Sequence, residues 1–216
     1  GTLWGEFDAL LRDNLPDVYD SLVIAQTVSG GYHIYYRCER IAGAQKLANR
    51  NGERGTVEVL IETKGEGGYV VADPTPGYKY LQGGAGNIST ITPEQRDVLL
   101  SIARSFNQIT EPEIRKTYTT PASTPSTGLT PFNDYNARGD VIGLLEKNGW
   151  KVVGQSGNRI NLLRPGQPDS KTSGNFHTGL RVLYVFSSSM AFKPNQGYSP
   201  ADVFILLECR EDTKEA

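Results

Sequence analysis

The sequence predicts an α+β protein in two pieces, and three observations carry that expectation. Leu3, Trp4, Phe7, Leu10 and Leu11 recur at helical intervals near the N-terminus. Two runs, 32–38 and 57–64, alternate side chains with the period of a strand. From Thr117 to Pro131 the chain turns Thr-, Pro- and Ser-rich, a composition that cannot bury a core. The expected division is a first domain over 1–115, a linker over 116–131 and a small α/β module over 132–216, and 216 residues suffice for one large domain or two small ones.

Each element follows from local chemistry. The first helix should stop at Leu15-Pro16, because proline removes a donor and restricts the residue before it. Ser29-Gly30-Gly31 reads as a turn feeding a strand, on which His33, Tyr35 and Arg37 face one way and Ile34, Tyr36 and Cys38 the other. In the second run Val57, Val59, Ile61 and Thr63 share one face and Glu58, Leu60, Glu62 and Lys64 the opposite one, so Glu62 and Lys64 project together. Gly65-Glu66-Gly67-Gly68, between two β-branched runs, reads as a hairpin connection. Thr92-Pro93-Glu94-Gln95 is a capping box, and Val98, Leu99, Ile102, Ala103 and Phe106 keep a helical face behind it that should close the first domain. In the second module a helix from Asn133 should end at Asn148-Gly149, with short strands at 150–153, 160–163 and 182–186. Ser199-Pro200-Ala201-Asp202 then caps a last helix containing Val203, Phe204, Leu206 and Leu207. The order helix, short antiparallel sheet, helix defines the module.

Composition excludes several classes. No apolar run approaches eighteen residues and no signal-peptide pattern is present, which predicts a cytoplasmic protein with no membrane partner. Cys38 and Cys209 lie far apart, and His33 and His177 complete no ligand cluster, so a structural zinc is not expected. The net charge of -2 says little about nucleic acid. Residues 138–193, however, hold eight Lys/Arg against three acids, a local balance of +5. Arg159, Arg164 and Lys171 are the candidate nucleic-acid contacts there, with a merely solvated face as the competing explanation.

Two segments point to chemistry: Ser29-Gly30-Gly31-Tyr32-His33, and the apolar run that ends in Glu62 and is followed by Gly67-Gly68-Tyr69-Val70-Val71. Either alone also reads as an ordinary turn. Together, in this order, they resemble motifs II and III of the archaeo-eukaryotic primase superfamily, specifically the bifunctional primase/polymerase (prim-pol) domains of phages, plasmids and mobile elements. The resemblance covers roughly residues 1 to 85. It implies a partial primase/polymerase-like sheet with flanking helices and a DNA primase/polymerase-type nucleotidyltransferase. His33 and Glu62 would be its catalytic pair, Ser29, Gly30, Gly31 and His33 would bind the nucleotide, and Glu62 would ligate Mg2+ or Mn2+. From facing alone, Arg37 and Lys64 join the nucleotide set. The implied partners are DNA template and primer, nucleoside triphosphates, and a replicative helicase domain or protein.

One part of the pattern is missing. Two hard cations need several carboxylates, and the family supplies two from an Asp-x-Asp strand before motif II. No such pair precedes Ser29, and Glu6 with Asp8 sits in the helical period instead. The expectation is therefore a fragment that begins downstream of motif I and is inactive alone. The alternative is a non-catalytic nucleic-acid-binding or scaffolding protein that retains a primase-like fold. The second piece looks like a module that follows prim-pol domains in phage replication proteins. More loosely, it is similar to the zinc-ribbon domain of bacterial primases, with Arg164-Pro165-Gly166 in place of Cys-Pro-x-His.

Overall fold

The computed structural model describes residues 2–109, 130–166, 172–186, 192–194 and 196–209, and its architecture is α+β. Helix α1 (Leu3–Asn14) begins where the Thr2 hydroxyl accepts from the Gly5 amide, and it ends at Leu15, before α2 (Pro16–Tyr19). It buries Phe7 and Leu11. Glu6 and Asp8 thus belong to a helix, where Asp8 pairs with Arg12 at 2.9 Å and accepts from the Tyr19 hydroxyl.

Three antiparallel strands, β1 (Val23–Gln26), β2 (Tyr32–Tyr35) and β6 (Lys79–Gln82), form a sheet in the order β2-β1-β6. Ile24, Tyr32 and Ile34 face the main core, where Trp4 stacks on Tyr32 with ring centroids 3.9 Å apart. The run expected as one strand over 32–38 breaks at Tyr36. Its tail β3 (Arg37–Cys38) leaves this sheet to pair in parallel with β7 (Thr90–Ile91). Strands β4 (Gln45–Asn51) and β5 (Val57–Thr63) form a separate antiparallel ribbon. A bulge around Leu47 shifts its register, and both Leu60 and Ile61 reach the core, so the strict alternation expected for this run fails there. Residues 65–68 do turn, the Gly68 amide donating to the Gly65 carbonyl at 2.9 Å, but 69–71 form no returning strand.

Helix α3 (Pro93–Arg104) has the expected reciprocal cap: the Thr92 hydroxyl accepts from the Gln95 amide and the Gln95 side chain accepts from the Thr92 amide. Leu99, Leu100, Ile102 and Ala103 bury its inner face against α1 and β4. Each such side chain contributes roughly 1.5–3 kcal/mol of transfer free energy, less for alanine.

In the second piece the expected helix over 133–148 is two: α4 (Pro131–Arg138) and α5 (Val141–Lys147). Gly139 ends the first, its amide donating to Tyr135 at 2.7 Å, and Asp140 caps the second. Strands β8 (Lys151–Ser156), β9 (Arg159–Leu163), β10 (Gly174–His177), β11 (Val182–Val185) and β12 (Gly197–Tyr198) build one antiparallel sheet in the order β12-β11-β10-β9-β8. α6 (Pro200–Glu208) follows behind a Ser199/Asp202 capping box. Leu145, Trp150, Leu162, Leu183, Phe192 and Val203 form this piece's own core.

The two pieces are packed together. Tyr184 and Phe186 belong to the same buried cluster as α1 and α3, and the buried Ser101 hydroxyl donates to the Val185 carbonyl at 2.9 Å. Most of the Thr/Pro/Ser-rich stretch, residues 110–129, lies outside the described residues.

Candidate functional site

The Ser29-Gly30-Gly31 segment folds as the tight turn of the β1–β2 hairpin. The Gly30 amide donates to the Thr27 carbonyl at 3.0 Å, the Gly31 amide to the Thr27 hydroxyl at 3.0 Å, and Gly30 sits at φ +80°. Both glycine amides are thereby engaged inside the turn, so the glycines shape it rather than cradle an anion as a phosphate loop would. The exposed group at its tip is the Ser29 hydroxyl, 3.3 Å from that of Thr27.

His33 lies two residues beyond, on the face of the sheet away from the main core. Its Nδ1 is 3.0 Å from the Tyr35 hydroxyl, and its ring also meets Tyr78, with centroids 6.1 Å apart. Burial holds the imidazole below its ordinary pKa, so it is neutral at pH 7. In the tautomer whose Nδ1 accepts from the Tyr35 hydroxyl, the proton of the neutral ring sits on Nε2, where it can donate to an oxyanion; in the other, Nδ1–H donates to the Tyr35 oxygen and Nε2 is an acceptor. Tyr35 and Tyr80 complete the layer, their centroids 6.4 Å apart.

Glu62 is in the other ribbon. It pairs with Lys64 at 2.9 Å, and both side chains are about two-fifths exposed (40% and 41%). No hydrogen bond, ion pair or ring contact among the described residues joins His33 to Glu62, which sit in separate sheets. Lys64 neutralises the carboxylate beside it. Among the described residues no group of three His, Cys, Asp or Glu is placed to hold a metal ion. Glu62 alone does not fit the several carboxylates that a two-cation centre needs.

Arg37 is exposed on β3, two residues beyond Tyr35. Arg159, expected on an open nucleic-acid face, is instead largely buried between the two pieces. It pairs with Glu6 and lies 3.9 Å over the Phe106 ring. That is a correction: its guanidinium serves the interior contact. Arg164 follows β9 and is half-buried, and Lys171 lies outside the described residues.

Two features had no sequence signal. Tyr78 and Tyr80 reach the His33 face only because β6 pairs with β1 across more than fifty residues of chain. Arg96 is buried, its guanidinium bonded to the Tyr36 hydroxyl and its Nε unpartnered. It lines a cleft of about 380 Å3 with Glu39, Arg40 and Asp97. Neither His33 nor Glu62 lines that cleft, whose mixed charges favour no one ligand class. No helix of the described residues is long and apolar enough to cross a membrane. Comparison of the chain with protein-family models, curated proteins and solved structures finds no match in any of the three.

Proposed function

We propose that this chain is a nucleotide-handling domain of the primase/polymerase type, serving template-directed nucleotidyl transfer in the replication of a phage or mobile element. The observation that supports it most is the Ser29-Gly30-Gly31-Tyr32-His33 hairpin. Its tip hydroxyl and a neutral imidazole with a free Nε2 stand at one end of an aromatic sheet face. In this reading His33 and Ser29 donate to the oxygens of a bound triphosphate, and Arg37 and Lys64 are kept as proposed nucleotide contacts, although they stand on or beside strands of other sheets. DNA template and primer and a replicative helicase remain the proposed partners. Mg2+ or Mn2+ remains the proposed cofactor class, and the chemistry then requires carboxylates beyond Glu62.

The test is equilibrium binding of a fluorescent nucleoside triphosphate and, separately, of single-stranded DNA. His33→Ala should weaken triphosphate binding on the order of 10-fold, the loss of one charge-assisted hydrogen bond, and leave DNA binding nearly unchanged. Equal losses in both would overturn the triphosphate role. The Glu62–Lys64 ion pair favours a second reading, a non-catalytic nucleic-acid-binding or scaffolding protein, in which that carboxylate serves only Lys64. DNA binding without triphosphate binding selects it.

A further inference from the structure

Sheet β2-β1-β6 has two apolar faces, and only one packs on the main core. On the other, Val23 and Ala25 are fully buried, at 1% and 0% exposure, yet neither belongs to that core. Their cross-strand neighbours explain it: Val23 pairs with Tyr35, and Ala25 pairs with His33 on one side and Tyr80 on the other. Small residues down the centre and rings from both flanks make an aromatic layer. The Tyr35 and Tyr80 rings meet at 61°, His33 and Tyr35 at 90°, and Tyr78 joins from the chain entering β6. All four residues are partly buried, with some surface open to solvent.

Charge decides what such a surface receives. The segments that build it, 21–38 and 74–93, contain no Asp or Glu, although the chain has 24 acids in 216 residues, and they carry Arg37 and Lys79. An aromatic face whose own segments bring no carboxylate and a net positive charge is matched to a polyanion bearing flat apolar groups, although Lys79 itself alternates to the opposite face of β6 and Arg37 lies on the adjoining β3. We infer that Tyr78 and Tyr80 are a stacking platform for the bases of single-stranded DNA, with the Tyr35 ring meeting Tyr80 edge-on and Arg37, on the adjoining β3, as the nearest cation in sequence to Tyr35. This rests on the nucleic-acid side of the proposed function but not on the triphosphate site. The phenol rings supply π-faces to any base, so recognition there is tolerant of sequence.

The test uses the whole chain and two labelled strands of about 15 nucleotides, an oligodeoxythymidylate and a fully abasic strand of equal length, titrated at low salt. Tyr78→Leu and Tyr80→Leu keep apolar cover over Val23 and Ala25 while removing the π-face, and thermal melts establish that they fold. Each should bind the oligodeoxythymidylate roughly 10-fold more weakly and the abasic strand as well as the parent chain does, whereas Tyr80→Phe should bind both normally. Leucine variants that bind like the parent, or lose equally on both strands, overturn the platform, as does a parent chain that prefers neither strand. Triphosphate binding measured on the same variants separates the two ideas. Its absence in the parent chain defeats the triphosphate reading while leaving the base-stacking result to stand.

Discussion

Gly65 stands where the chain runs against its neighbour: a Cβ built there would lie 1.8 Å from the Ala42 carbonyl oxygen, a backbone atom that cannot swing aside. Gly30 is constrained differently. Its φ of +80° disfavours a side chain, but nothing lies within 4 Å of the position a Cβ would take. Urea denaturation should rank the two accordingly, with Gly30→Ala costing about 1 kcal/mol and Gly65→Ala about 3 kcal/mol. The reverse order would mean that the 41–42 and 64–65 segments do not approach as described. Glu62 offers the opposite case. Its ion pair with Lys64 is substantially exposed and contributes under about 1 kcal/mol, so Glu62→Gln should leave the melting temperature almost unmoved. Any loss of nucleotide binding in that variant then reports function rather than folding, and a large drop in stability would show that the carboxylate is structural.

Elements whose signals are local were legible, and those decided by distant partners were not. The starts of α3 and α6 follow from Thr92/Gln95 and Ser199/Asp202, because a capping box satisfies its donors within four residues. Thr92→Ala should accordingly cost about 1 kcal/mol in urea denaturation, and no loss would place the stabilisation of α3 wholly in its buried face. The same logic missed Gly139, which reads as an interior residue of one helix until Asp140 is seen to cap the next. Strand β10 was missed because Asn175 and His177 are polar and become buried only through β9, β11 and the packing of the two pieces. The Ser29-to-His33 hairpin was legible since turn and strand are contiguous. Tyr78 and Tyr80 were not, since the β1–β6 pairing that brings them to His33 has no local signature. Arg159 was misread for a related reason: its charge was visible, but not the Glu6 carboxylate that meets it from the other end of the chain.

At the scale of the whole molecule, the Thr/Pro/Ser-rich linker separates two pieces in the sequence, and the contacts nonetheless join them into a common buried cluster. Ser101 to Val185, Arg159 to Glu6 and Phe106, and the Thr172 amide to Asp13 all cross between them. Cutting the chain at a protease site introduced between Ser123 and Thr124 should leave the halves co-eluting in size-exclusion chromatography, and separation would refute a stable contact. That contact also carries a titratable group. His177, 6% exposed at the end of β10, accepts the Leu180 amide on Nδ1 at 3.0 Å, which requires that nitrogen to be unprotonated. Burial, and then the positive charge of Arg159, hold its pKa below the ordinary value, against a backbone contribution in the other direction. A folded-state pKa below the unfolded value of about 6.5 means the fold binds fewer protons than the unfolded chain. The resulting stability is complete above about pH 6.5 and declines as pH falls toward the folded-state pKa, while raising pH from 7 to 8 changes nothing through this group. His33, also held low by burial, acts in the same direction, so the comparison must isolate one ring. Gln at position 177 retains an acceptor but does not titrate. The fall in melting temperature between pH 7 and pH 5 should therefore be smaller in His177→Gln than in the parent chain, and an identical fall in both would assign the acid sensitivity to His33 and the carboxylates instead.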